Sequence, residues 1–523
     1  MILAFGELLI FVTFFALWLV RAAHHPIADE VDFVKPMLLW VQGGPRVEGL
    51  WHAPFYPWTL MALGRFFGPS PALFRVVGAL CIAITGWVGV KAARRAYPEI
   101  KQYQSLILLA LLLFSPALFS SALLLDYDTT LLTVATAGFF GALLSHEKEK
   151  APRLAVRAGL WIGLCLMAKE TTPLMYPLGV TVLLWRRGEK PWRALAWSVL
   201  SLTVACALFL LTTWVWCKAY GIHMPRVFDM DVLGLKVHGG GSSNLTPLRR
   251  LWVWLTPVLW LSPSALWLLH RAAQRETGLL KRPAAAAIFS VSIAVVLAYT
   301  FALSQRTYHF PKYMAPVFPW LLWLGFMGKL FSQERSQRVN ALLFSGFCLI
   351  WFALVPNPLD LLHSRSAEGV LIYAMVAGIP LGIAAFTRPR GLVLLILTLA
   401  SAIPHIKQAL LTQKSITYWY GETALPDARP LVREWMARHP QATLISPAKD
   451  LGLELQDLGF EYIPKDLLKG DAKMLCAQRE PLLILTRVRE ESSLTRQPEL
   501  ETLKNCLATV QEHGDLVLGT NRK

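Results

Sequence analysis

The chain has 523 residues, of which 55% are hydrophobic and only 16% charged, with 20 tryptophans and a net charge of +17. This composition excludes an ordinary soluble globular chain and points to a multi-span membrane protein. Because the basic residues sort into short loops between apolar runs, the charge reads as a topology signal and implies no nucleic-acid partner.

In chain order, the apolar run 1–20 opens the sequence without a basic leader or a small-residue cleavage site, so it reads as a retained first transmembrane helix. Residues 21–71 form a first outside loop that begins HHPIADEVDF and continues GLWHAPFYPWTLMALGRFFG. Trp51, Phe55, Tyr56 and Trp58 suit short helices lying along the membrane interface. Asp29 and Glu30 would sit at that boundary, where desolvation raises a carboxylate toward general-base use; a solvated turn is the plain alternative.

Further runs of spanning length lie near 72–90, 105–121 and 129–145. Between the second and third of these, LLLDYDTTLL puts Asp126 and Asp128 at an outer junction with almost no loop. Carboxylates so close to hydrocarbon are costly and usually functional. The pair could hold a divalent cation such as Mg or Mn, receive a sugar hydroxyl, or cap the helix that follows. Residues 158–186 hold two short apolar runs broken by AKETTP, read as a hairpin with Lys169 and Glu170 at its turn. Those two residues fit either phosphate contact or an internal ion pair.

The remaining runs are 194–213, 251–270, 284–303, 313–331, 340–355, 368–386 and 391–411. The basic segments 91–101, 146–157, 186–193, 271–282, 329–338 and 387–391 then all fall on one side, taken as cytoplasmic, for a total of about 13 spans with the N-terminus inside and the C-terminus outside. Against that trend, SQRTYHFPKYMAPVFP places Arg306, His309, Lys312 and Tyr313 in one short outside loop, which favours phosphate binding. Residues 1–415 are thus expected to form the membrane domain. From 416 to 523 the composition turns soluble, and alternating helix and strand patterns predict a small α/β domain on the outer side, with no glycine-rich phosphate loop. Its bland role is a cap. The seven cysteines show no CxxC spacing; Cys476 and Cys506 fall in this domain, where an oxidising compartment would allow a disulfide.

The layout resembles the GT-C superfamily of polyprenyl-phosphate-sugar-dependent glycosyltransferases, in particular bacterial relatives of the dolichyl-phosphate-mannose protein mannosyltransferases and of the lipid A aminoarabinose transferase. Three patterns carry the resemblance: Asp29-Glu30 followed by WHAPFYPW, the fragment GPSPALFRVVGAL with Arg75, and KYMAPVFP with Lys312, Tyr313, Pro316 and Pro319. HAP stands where Lys-Pro-Pro or His-Pro-Pro is usual, which gives His52 the basic role.

The resemblance implies an α-helical polytopic GT-C-like enzyme of the bacterial inner membrane. It would move a sugar from a polyprenyl-phosphate carrier such as undecaprenyl phosphate to a lipid, glycan or protein acceptor. Asp29 would be the base of an inverting displacement, assisted by Glu30; His52, Lys169, Arg306, His309, Lys312 and Tyr313 would meet the donor phosphate. Asp126 and Asp128 would orient sugar or acceptor, or hold a metal. The rival class is a transporter or lipid flippase, which would be expected to show paired repeats and midplane charges. The two halves of this chain are not visibly alike, and its informative charges cluster at the outer edge.

Overall fold

A computed structural model describes residues 2–20, 22, 55–68, 70–126, 129–220, 279–301, 311–327, 429–440, 443–446, 461–462, 482–487, 509–513 and 516–520. These fall into two compact units. The first contains helices α1 (Ile2–Leu19), α2 (Phe55–Phe67), α3 (Pro71–Ala96), α4 (Gln102–Phe114), α5 (Pro116–Ser121), α6 (Leu131–Ser145), α7 (Ala151–Ala168), α8 (Pro177–Arg186), α9 (Pro191–Tyr220), α10 (Pro283–Phe301) and α11 (Phe318–Met327). Among them, 72–96, 151–168 and 191–219 are long and apolar enough to cross a membrane, and five more are shorter apolar helices.

Local chemistry sets the boundaries. Ser70 caps α3, its hydroxyl accepting from the Leu73 amide at 3.1 Å, and Pro71 follows where its missing N–H costs nothing. The expected single span 105–121 is broken: Pro116 cannot continue the hydrogen-bond ladder, so α4 ends at Phe114 and the six-residue α5 begins afresh. Helix α7 starts at Ala151, inside the basic stretch expected to be loop, because exposed Arg153 and half-exposed Arg157 are compatible with helix once their charges face outward. The expected hairpin is α7 and α8, joined through Lys169, Glu170, Thr171 and a 3-10 turn at Thr172–Met175. Gly188 ends α8 with φ +95°, its amide donating to the Trp185 carbonyl at 2.9 Å, and lets the chain reverse into α9.

Between apolar helices in lipid there is no hydrophobic drive to associate, so close packing must hold them. Helices α7 and α9 meet at Gly159 and Gly163, one turn apart on α7. A Cβ on Gly159 would lie 2.6 Å from the Ser201 carbonyl oxygen, and one on Gly163 3.2 Å from that of Ala205. On α11 the buried Trp323 donates its indole N–H to the Gly89 carbonyl at 2.9 Å, fastening that helix to α3.

Of the basic segments expected on one side, 91–101, 146–157, 186–193 and the described residues 279–282 share one end of this bundle, while 329–338 and 387–391 lie outside the described residues. Arg94 pairs with Glu7 and Ser105, Arg95 with Ser145, Arg157 with the Glu149 carboxylate, and Arg187 with the Glu149 carbonyl. Arg186 donates to the Leu280 carbonyl, and the Arg282 guanidinium lies 3.9 Å from the Tyr97 ring centroid. Burial at this end pushes the Tyr97 phenol up to about 12, Arg282 opposing the shift.

In the second unit, α12 (Arg429–Arg438) accompanies a five-stranded sheet of β1 (Thr443–Ser446), β2 (Glu461–Tyr462), β3 (Leu482–Arg487), β4 (Thr509–His513) and β5 (Leu516–Thr520). Their order is β2-β1-β3-β5-β4: β1 is parallel to both β2 and β3, and β5 is antiparallel to both β3 and β4. Within the stretch expected to alternate helix and strand, the apolar runs PLLILTRV and DLVLGT, which read as buried strands, form β3 and β5. Strand β4 was not expected, because an edge strand reading TVQEH carries the polar residues that protect an edge and lacks an apolar run. The predicted spans at 251–270, 340–355, 368–386 and 391–411 lie outside the described residues.

Gly159→Leu should force α7 and α9 apart, since the obstructing atom is backbone, at a cost of roughly 1–3 kcal/mol. A lowered melting temperature in detergent is expected; an unchanged one would refute the close approach.

Candidate functional site

The end of the bundle away from the basic loops gathers the C-terminal ends of α1, α7 and α10 with the N-terminal ends of α3 and α6. Two sets of buried polar groups organise it.

The first set surrounds Arg75, which is fully buried in the first turns of α3. Its Nε donates to the Leu123 carbonyl at 2.8 Å and one terminal nitrogen to the Ala22 carbonyl at 3.2 Å. Beside it the Trp18 indole donates to the Ala122 carbonyl at 2.9 Å. Helix and turn carbonyls in a dry interior need such donors. The same turn leads directly into Asp126, fully buried, whose carbonyl accepts from the Thr130 hydroxyl. Gly78 on α3 lets this turn approach, since a Cβ there would lie 3.1 Å from the Ala122 carbonyl oxygen.

The second set is built on the broken hairpin. Lys169 and Glu170, 7% and 5% exposed, follow the last turn of α7. The Lys169 ammonium sits 4.6 Å from the ring centroid of Tyr313, a cation–π contact worth about 2 kcal/mol when desolvated. Tyr313, in a 3-10 turn at Pro311–Met314, stacks on Tyr299 of α10 at 5.0 Å and 11°. The Tyr299 hydroxyl in turn lies 2.6 Å from the Thr172 hydroxyl and 3.1 Å from that of Thr171. Contacts therefore run from Lys169 through two aromatic rings and return to the chain three residues further on. Tyr176, stacked on Phe139 at 5.1 Å, hydrogen-bonds Thr136 of α6 at 2.6 Å.

Helix α6 links the two sets. Thr130, which contacts Asp126, and Thr136, which contacts Tyr176, are six residues or about 9 Å apart along it. Helix α2 lies where the sequence predicted interfacial helix; its buried Trp58 stacks on Trp216 of α9 at 4.0 Å and 23°.

Of the sequence-predicted site residues, Lys169, Tyr313 and Asp126 are in this region, and Lys312 is placed there by its backbone in the 3-10 turn. Asp29, Glu30, His52, Asp128, Arg306 and His309 lie outside the described residues, as do Cys476 and Cys506. Tyr299, Thr172 and Trp216 were missed; the polar-tipped Tyr299 near the end of an apolar run is the one signal that could have pointed to them. Among the described residues no three or more His, Cys, Asp or Glu side chains converge as a metal site.

Residues 51–216 match the model of the dolichyl-phosphate-mannose-protein mannosyltransferase family, less than half of the chain. The whole chain is similar in structure to ArnT from Cupriavidus metallidurans. Its apo form aligns at 16% identity and TM-score 0.60, over 99% of this chain and 98% of that one. Its form bound to undecaprenyl phosphate aligns at 15% identity and TM-score 0.61, over 98% of each. No curated protein matches the chain significantly in sequence. The structural likeness establishes the fold, that of an α-helical, multi-pass membrane protein. Together with the matched segment it bears out the resemblance to the GT-C glycosyltransferases.

Arg75→Leu should leave the Ala22 and Leu123 carbonyls unmet in a dry interior and destabilise the first unit by about 3 kcal/mol. Arg75→Lys should recover part of that, because an ammonium cannot reproduce the guanidinium's planar fork. Equal melting temperatures for all three proteins would refute this role.

Proposed function

We propose that the chain is an integral-membrane glycosyltransferase that moves a sugar from a polyprenyl-phosphate carrier to an acceptor hydroxyl or phosphate at the outer face of the inner membrane. The observation that carries this reading is Lys169, buried, oriented by the Tyr313–Tyr299 stack, and sharing one bundle end with the Asp126 turn. It is a cation built into a dry, aromatic-walled end of a helical membrane fold, where a lipid-linked phosphate can arrive with its tail still in hydrocarbon. Undecaprenyl phosphate bound to the ArnT relative supports a donor of this class.

The chemistry is a single in-line displacement at the anomeric carbon. Asp29 takes the proton from the acceptor oxygen as that oxygen bonds to the anomeric carbon. The bond from the anomeric carbon to the phosphate oxygen breaks, and its electron pair leaves with the lipid phosphate, which needs no strong general acid. Configuration inverts. Lys169 stabilises the charge growing on the departing phosphate, and His52, Arg306, His309 and Lys312 complete the cationic lining, with Tyr313 as the platform. Glu30 assists the base. Asp126 and Asp128 orient sugar or acceptor hydroxyls; a Mg or Mn ion there would need both carboxylates and further oxygen ligands. About 13 spans, a cytoplasmic N-terminus and an outer α/β unit acting as cap complete the reading.

Sugar transfer from a panel of undecaprenyl-phosphate sugars to lipid and protein acceptors in membrane extract tests it. Asp29→Asn should lower turnover at least about 100-fold and Lys169→Met by a similar factor. Tyr313→Leu should lose roughly tenfold or more, with Tyr313→Phe recovering most of it. Normal turnover in Asp29→Asn would remove that residue from the mechanism. Absence of transfer from every lipid-linked sugar, in folded protein, would turn the assignment toward a transporter or lipid flippase.

A further inference from the structure

Helix α7 has a lysine at each end: Lys169 closes it near the candidate site, and Lys150 caps its start roughly 28 Å away. Beside Lys150 lies a cavity of about 540 Å³ between the first turns of α7 and α9, lined by Lys150, Arg187, Arg193 and Glu189 with Trp192 and Trp197. From these groups we infer that the cavity is a binding site for the headgroup of an anionic phospholipid, at the end of the bundle opposite the candidate active site.

The positive-inside tendency explains why basic residues lie at this end, but not why three converge on one cavity. Most neighbours there are already engaged: Arg94 with Glu7, Arg157 with Glu149, Arg186 with the Leu280 carbonyl. Arg187 gives one N–H to the Glu149 carbonyl. By contrast, Lys150 and Arg193 have no carboxylate partner among the described residues, and Arg193 lies 5.1 Å from the Trp192 ring centroid. Three cations against one acid leave the lining net positive.

A lipid, rather than a free anion, is indicated by what continues from the cavity. Trp192 is 63% exposed, and Leu195 and Val199 follow it at helical spacing on α9, also largely exposed. Trp192 suits the headgroup boundary and the two aliphatic side chains suit acyl-chain contact. Phosphate and hydrocarbon of one molecule are thus met in the order a phospholipid presents them.

Native mass spectrometry of the full chain in neutral detergent tests this, with phosphatidylglycerol, phosphatidylcholine of the same acyl chains, and inorganic phosphate as probes. Phosphatidylglycerol should be retained about tenfold better than phosphatidylcholine, a preference that Lys150→Gln/Arg193→Gln should reduce to within about twofold. Lys148→Gln/Arg153→Gln, which removes the same charge from exposed positions outside the lining, should keep the preference. Leu195→Gln, with all charges present, should weaken phosphatidylglycerol retention. Equal loss in both double variants would overturn the site in favour of general surface charge. Displacement of the lipid by millimolar inorganic phosphate, with Leu195→Gln silent, would overturn the lipid assignment in favour of a free phosphate site.

Discussion

A buried guanidinium sets the geometry on which the candidate site depends. Helix ends and tight turns leave carbonyl oxygens without intrahelical partners, and in a membrane interior no water is available to meet them. Arg75 answers two such carbonyls from separate parts of the chain, Ala22 just after α1 and Leu123 in the turn before α6, while Trp18 answers a third at Ala122. The turn that carries Asp126, three residues beyond Leu123, is therefore tied through one side chain to the end of the segment that follows α1. A hydrophobic residue at position 75 could fill the volume but could not tie the two segments together.

Helix α7 is the corresponding strut across the bundle. Its 18 residues span about 27 Å, close to the hydrocarbon thickness of a bilayer, so its capping lysines fall near opposite interfaces. The Gly159 and Gly163 contact with α9 fixes its lateral position through backbone, which cannot yield as a side chain can. Position along the membrane normal and position within the bundle are thereby set by different features of the same helix, and Lys169 inherits both.

Much of this was legible in the sequence, and what was not has physical causes. Hydropathy located α1, α3, α6 and the broken α7–α8 hairpin, the expense of charge near hydrocarbon singled out Asp126, and the break at AKETTP singled out Lys169; both residues are buried. Hydropathy averages over a window, so it merged α4 and α5 across Pro116 and started α7 too late, at a stretch whose arginines face outward. Tyr299 and Trp216 escaped notice for another reason. A tyrosine in an apolar run looks like ordinary span filling, and its partner Thr172 is 127 residues away, a separation that no periodicity reports.

The aromatic support of Lys169 bears on what the residue can do. A ring face attracts an ammonium through its quadrupole and orients it over the ring. The ring must itself be held, or ordering the lysine would only transfer the entropy cost to Tyr313. Tyr299 supplies the stack, and its hydroxyl returns the restraint to Thr172, within the turn that carries Lys169. The restraint is thus closed on itself: the segment that presents the cation also anchors the platform that aims it. In the proposed reaction a lipid-linked phosphate would meet an ammonium already positioned, which is the condition under which electrostatic stabilisation needs least reorganisation as the leaving group departs.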